Sequence, residues 1–134
     1  MFFKYILKSS IKFLSFWERN TFEGDILDIT CNQDNISKTL KELLPNFNIA
    51  SANSLDSKYT RTFDTVIATT PLTIEKCLEI SERYLIILSD VKLLERKDMF
   101  LNTPFRYIYI DTNTKATWFV LEKGYKGEPI IRWI

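Results

Sequence analysis

The chain of 134 residues has no histidine, only 3 glycines, 4 prolines and 2 cysteines. Without histidine there is no imidazole acid–base chemistry, and the commonest ligand of transition metals is absent. So few glycines leave little room for loops that need positive φ or a close backbone approach to a ligand. Cys31 and Cys77 follow no metal-ligand spacing and make no disulfide framework, which fits a reducing, cytoplasmic setting without a metal. An excess of one charge is missing too. The 18 basic and 17 acidic side chains nearly cancel, so no global field steers the chain toward nucleic acid or an acidic partner.

What is present is apolar. With 46% hydrophobic residues, the composition is that of an ordered domain, and the length fits one domain over residues 1–134. Phe2, Phe3, Ile6, Leu7, Ile11, Phe13, Leu14 and Trp17 recur at helical spacing, with Lys4, Lys8 and Lys12 as a separate stripe. Residues 1–22 are therefore read as an amphipathic helix packed on the rest of the domain. Its aromatic face and lysine stripe would also suit a membrane surface. The lysines interrupt the apolar run, so neither a signal core nor a span of ~20 apolar residues can be drawn.

The stretch from Gly24 to Asp34 reads as a short apolar strand, Asp25 to Ile29, running into a polar turn and a helix. The strand lacks polar alternation, as expected for a parallel strand covered on both faces. Asp34 or Asn35 can cap a helix with Ile36, Leu40, Leu43 and Leu44 on one face, and Pro45 closes it. A weak strand follows near Ile49 to Ala52, then a polar stretch to Thr62. The Phe63 to Leu72 segment opens with a strand, and a helix carrying Ile74, Cys77, Leu78 and Ser81 leads to an apolar strand from Tyr84 to Leu88. Val91 to Phe100 reads as a short helix or loop. Arg106–Ile110, Ala116–Glu122 and Pro129–Ile134 alternate as strands, with Lys123 to Glu128 as a turn.

Three of these stretches resemble class I S-adenosylmethionine-dependent methyltransferases. Ile26-Leu27-Asp28-Ile29 resembles the first strand of that family, which ends in Asp-x-Gly-x-Gly-x-Gly; Thr30, Asn32 and Asp34 stand where the glycines would be. Phe63-Asp64-Thr65-Val66-Ile67-Ala68-Thr69-Thr70-Pro71-Leu72 resembles the strand and target-amine motif of amino-group methyltransferases acting on DNA or RNA. Trp118 to Ile134 resembles the C-terminal hairpin of small phage-associated adenine-type enzymes. The resemblance implies an α/β fold: a truncated Rossmann-like methyltransferase sheet of about six strands, mostly parallel, with an antiparallel C-terminal hairpin. It also implies S-adenosylmethionine as the cofactor, if there is one, held near Asp28, Thr30, Asn32 and Asn53. Thr69, Pro71 and Leu72 would take the target-motif positions. In the family a second strand ends in an acidic residue that holds the cofactor ribose; Ile49 to Asp56 looks more like the third strand, whose tip contacts the adenine.

The substitutions bear on chemistry. Thr30 in a left-handed conformation costs on the order of 1–2 kcal/mol, and Asp34 would compete for the amides that face a ligand carboxylate. The hydroxyl of Thr69 could still accept one hydrogen bond, but Leu72 offers no face for base stacking worth ~1–3 kcal/mol. The expectation is a methyltransferase-like pseudoenzyme, catalytically impaired and acting by binding nucleic acid or a partner protein. The alternatives are an active nucleic-acid amino-methyltransferase with divergent motifs and an oligomerising module built on the N-terminal helix and the C-terminal hairpin. Lys115, Lys123, Lys126 and Arg132 would then offer a basic rim for phosphates.

Overall fold

The computed structural model describes residues 22–29, 34–52, 61–69, 74–112 and 116–134. The helix expected in residues 1–22 therefore lies outside the described residues except for Phe22, which is buried and meets Phe47 edge to face at 6.2 Å.

Seven strands form one sheet. They are β1 (Ile26–Ile29), β2 (Ile49–Ser51), β3 (Phe63–Thr69), β4 (Ser81–Asp90), β5 (Phe105–Ile110), β6 (Ala116–Glu122) and β7 (Ile130–Trp133). Helices α1 (Asp34–Leu43), α2 (Ile74–Ile80) and α3 (Lys97–Asn102) connect them, with a 3-10 turn over Val91–Glu95. The order across the sheet is β2-β1-β3-β4-β6-β5-β7. β2, β1, β3 and β4 are parallel to one another, and β6 is antiparallel to both β4 and β5. A Rossmann-like α/β fold is what the sequence implies, and the sheet has it.

All four residues of β1 and all seven of β3 are buried. That is why neither strand alternates in sequence: helices can cover both faces of a parallel sheet, and no position then has to be polar. Successive side chains sort into two cores. On one face Ile26, Ile67, Tyr84, Ile86, Trp118 and Tyr109 pack with Ile36, Leu40 and Leu44 from α1 and its end. On the other, Leu27, Val66, Leu85, Phe119 and Phe105 pack with Cys77 and Ile80 of α2 and with Leu93. The helical spacing of Ile36, Leu40, Leu43 and Leu44 is thus used as expected. Pro45 ends α1 as its sequence position suggests, the last turn closing by Leu44 N–H donation to the Leu40 carbonyl at 2.7 Å.

Two expectations change. β2 pairs directly with β1, Ile26 opposite Ile49 and Asp28 opposite Ser51. In the doubly wound order 3-2-1-4-5-6, that place belongs to the second strand and not to the third. Adjacency is decided by non-local hydrogen bonds, such as Ala52 N–H to the Asp28 carbonyl at 2.9 Å, which spacing along the chain does not encode. The other change is in the C-terminal run. β6 and β7 do not pair across their turn; β5 lies between them, antiparallel to β6 and parallel to β7. Among the described residues the sheet counts seven strands, where about six were expected. In the connecting turn, Gly124 at φ 85° takes the left-handed conformation that glycine adopts without strain.

Candidate functional site

Ligands of open α/β sheets bind outside the carboxyl ends of the strands, where the strand order reverses. Here that place lies between β1 and β3. Asp28, next to last in β1, is 3% exposed, and Thr69, last in β3, is 9% exposed. Asp28 is the register partner of Ile67. Because side chains alternate along a strand, Asp28, Ile67 and Thr69 share the face that carries α1. The structure thus brings together these two of the residues singled out from sequence. Thr30, Asn32, Asn53, Pro71 and Leu72 lie outside the described residues.

The tip of β2 lies beside Asp28, in the place of the strand whose acidic end would hold a ribose. It ends in Ser51, followed by Ala52, neither of them acidic. The Ser51 hydroxyl is 2.6 Å from that of Ser37 on α1, so the two share a hydrogen bond that ties strand to helix. The described residues at this tip do not fit a ribose diol, which needs a carboxylate acceptor.

Sequence reading missed other buried polar groups on this edge. Ser89 near the end of β4 and Asp111 just after β5 are each 4% exposed. Thr117, the register partner of both Ser89 and Ile110, is fully buried. A signal was available, since each of Ser89 and Asp111 is the first polar residue after an apolar run. Asp90 beside them serves the fold, its carboxylate accepting the Lys92 N–H at 2.8 Å and so capping the 3-10 turn.

The opposite, amino-terminal edge carries a surface cleft of about 270 Å³ lined by Glu23, Gly24, Asp25, Thr62, Asp64, Glu82 and Arg83. Each of its carboxylates has a cation or hydroxyl partner. Arg83 donates to both oxygens of Asp64 and pairs with Glu23 at 3.3 Å. Arg61 meets Asp25 at 2.9 Å, and the Thr62 hydroxyl donates to Glu82 at 2.6 Å. Burial pushes the Asp64 carboxyl up, but the Arg83 hydrogen bond, the Glu23 N–H, the Thr65 hydroxyl and the guanidinium charge outweigh it and hold it below the ordinary value. Asp64 also stands close to Gly24, where an added Cβ would come within 3.0 Å of its own Cβ. The Phe63-Asp64 start of β3 is therefore a structural clamp at the far end of the sheet from the switch point.

Among the described residues no group of His, Cys, Asp or Glu could hold a metal ion, and no helix is long and apolar enough to cross a membrane. No family model and no curated protein sequence matches the chain. Among solved structures it is similar to a proposed class I S-adenosylmethionine-dependent methyltransferase from Listeria monocytogenes, with TM-score 0.66 and 13% identity over 93% of this chain. The chain spans 62% of that protein's length. It is also similar to protein 1320 of Thermoplasma acidophilum, with TM-score 0.54 and 15% identity, covering 87% of this chain and 86% of that one. The chain has the methyltransferase-like Rossmann fold.

Proposed function

We propose that this chain is a methyltransferase-like binding protein whose cofactor site is degraded, so that it works in the cytoplasm by holding a macromolecule and not by transferring a methyl group. The observation that carries this is the β2 tip. The strand in the ribose-binding place ends in Ser51, whose hydroxyl shares a hydrogen bond with Ser37. The sequence adds Thr30, Asn32 and Asp34 in place of three glycines, and Thr70 and Leu72 in place of a proline and an aromatic residue in the target motif. Loss at two motifs and at a strand tip removes cofactor contacts and target contacts together.

A second reading, an active amino-methyltransferase acting on DNA or RNA, draws on Asp28 and Thr69 standing on one face at the switch point. Methyl transfer asks for positioning more than for acid–base groups, so the missing histidine does not count against it.

Thermal unfolding with and without S-adenosylmethionine or S-adenosylhomocysteine, backed by calorimetric titration, separates the two. Ligand at 100 times its dissociation constant adds about 2.7 kcal/mol to stability, a rise of several degrees for a domain of this size. The degraded-site reading expects no shift at millimolar ligand. A clear saturable shift would refute it and turn attention to the methyl acceptor.

A further inference from the structure

Among the described residues β7 is one edge of the sheet, and its side chains are mostly exposed. Ile130, Ile131 and Trp133 are 46%, 51% and 67% exposed, and they supply three of the five exposed large hydrophobic residues among those described. The direction of its backbone follows from two hydrogen bonds. The Ile134 N–H donates to the Ile110 carbonyl and the Ile134 carbonyl accepts from the Thr112 N–H, at 2.9 and 3.3 Å. In a parallel ladder a residue bonds one neighbour with both its groups and the next residue faces the other way. Ile130, Arg132 and Ile134 therefore face β5, while the N–H and carbonyl of Ile131 and Trp133 point off the sheet. An apolar edge with free donors and acceptors is a template for another strand.

We propose that this edge pairs with β7 of a second copy, antiparallel, across a two-fold axis at Ile131. A strand that offers the same outward groups from both partners is self-complementary, as a two-fold interface requires. The register is limited by the residues themselves. Centring the axis on Arg132 would set two guanidinium groups directly opposite, which is unfavourable. Centring it on Ile130 would set Ile131 opposite Pro129, which has no N–H for the Ile131 carbonyl.

With the axis at Ile131, the two Ile131 residues exchange two hydrogen bonds, and each Trp133 N–H donates to the other copy's Pro129 carbonyl. Pro129, which has no N–H, supplies that acceptor and leaves the Trp133 carbonyl to water. Trp133 lies against that Pro129, and Arg132 lies opposite Ile130 with the other copy's Glu128 at the diagonal, within reach of a long side chain. The near-zero net charge of +1 per chain opposes association only weakly.

The inference does not depend on the state of the cofactor site. The test is sedimentation velocity on the full chain from micromolar to sub-millimolar concentration, with circular dichroism to confirm folding. The expected result is a concentration-dependent species of twice the monomer mass. Ile131→Pro removes an N–H that β5 does not use, and it should leave a folded monomer. As a second variant, Ile131→Cys in a Cys31→Ser background should oxidise to a covalent dimer, while Arg132→Cys in the same background should not, because only Ile131 meets its own copy. A wild-type chain monomeric throughout, a dimer untouched by Ile131→Pro, or cross-linking through position 132 in preference to 131 would overturn the proposal. Saturable dependence of unfolding on S-adenosylmethionine would refute the degraded-site reading and leave this one standing.

Discussion

Replacing Arg83 by methionine keeps most of the aliphatic stem and deletes the guanidinium that clamps Asp64. The carboxylate left behind is 7% exposed and retains the Glu23 N–H at 3.3 Å and the Thr65 hydroxyl at 3.1 Å. Removing one partner of a fully buried pair costs roughly 3–5 kcal/mol. The Arg83 side chain is 31% exposed, and two hydrogen bonds survive, so the expected loss is about 2–3 kcal/mol at pH 7, a fall of roughly 10 °C in Tm.

The pH dependence tells this loss from a packing defect. Folding lowers the Asp64 carboxyl below its ordinary 3.8. The wild-type contribution is therefore complete above that value and is lost as pH falls through the folded pKa. In Arg83→Met the burial that pushes the carboxyl up is no longer outweighed by the guanidinium, so protonation relieves the variant earlier. Urea unfolding at pH 7 and pH 3 should show the gap between the two proteins shrinking by at least half. A gap that stays constant over that range would refute the electrostatic account and leave only lost packing.

Two further outcomes follow from buried groups. Burial raises the Cys77 thiol from 9.0 to about 11, so its contribution to stability is whole below pH 9 and is lost as pH rises toward 11. In a Cys31→Ser background a thiol reagent at pH 8 should modify Cys77 only as fast as the chain unfolds, and labelling at the rate of a free thiol would contradict its burial. The Thr117 hydroxyl, fully buried, has no hydrogen-bond partner among the described residues. Thr117→Val removes an unmet polar group at nearly constant volume and should be neutral or stabilising by ~1 kcal/mol in urea unfolding; a loss above ~1 kcal/mol would show that the hydroxyl is satisfied.

Much of the sheet is legible in the sequence because its strands are apolar on both faces. Ile26 to Ile29, Phe63 to Thr69 and Ala116 to Glu122 announce themselves as mostly apolar runs, broken only at a few positions such as Asp28, Asp64 and Thr117, and α1 by four residues at helical spacing. The neighbour of each strand is not legible. β2 has three residues, none of them buried, and its place is set by pairing with Ile26, Leu27 and Asp28 more than twenty positions earlier. β7 reads as the return of a hairpin because a glycine turn precedes it, yet its partner is β5. The site is half legible for a similar reason. Asp28 and Thr69 can be found as strand ends, but Ser37 and Ser51 share a hydrogen bond across 14 positions, and no spacing rule joins two serines. The Phe-Asp pair reads as the start of a target motif, whereas its aspartate serves Arg83, 19 positions away.

The two ends of the sheet explain why scaffold and chemistry can come apart in a protein like this. At the amino-terminal edge every carboxylate lining the cleft has a cation or hydroxyl partner, and the strands there are held whatever happens at the other edge. The carboxyl-terminal edge instead collects Asp28, Thr69, Ser89 and Asp111 at the ends of four strands, all of them buried. If Ser51 turns from a ribose toward Ser37, contacts at that edge change while the clamp of Arg83 and Asp64, the Trp118 core and the pairing of β1 with β3 remain. A sheet built this way holds its amino-terminal edge independently of the loops at its carboxyl-terminal edge, and β7 supplies three of the five exposed large hydrophobic residues among those described.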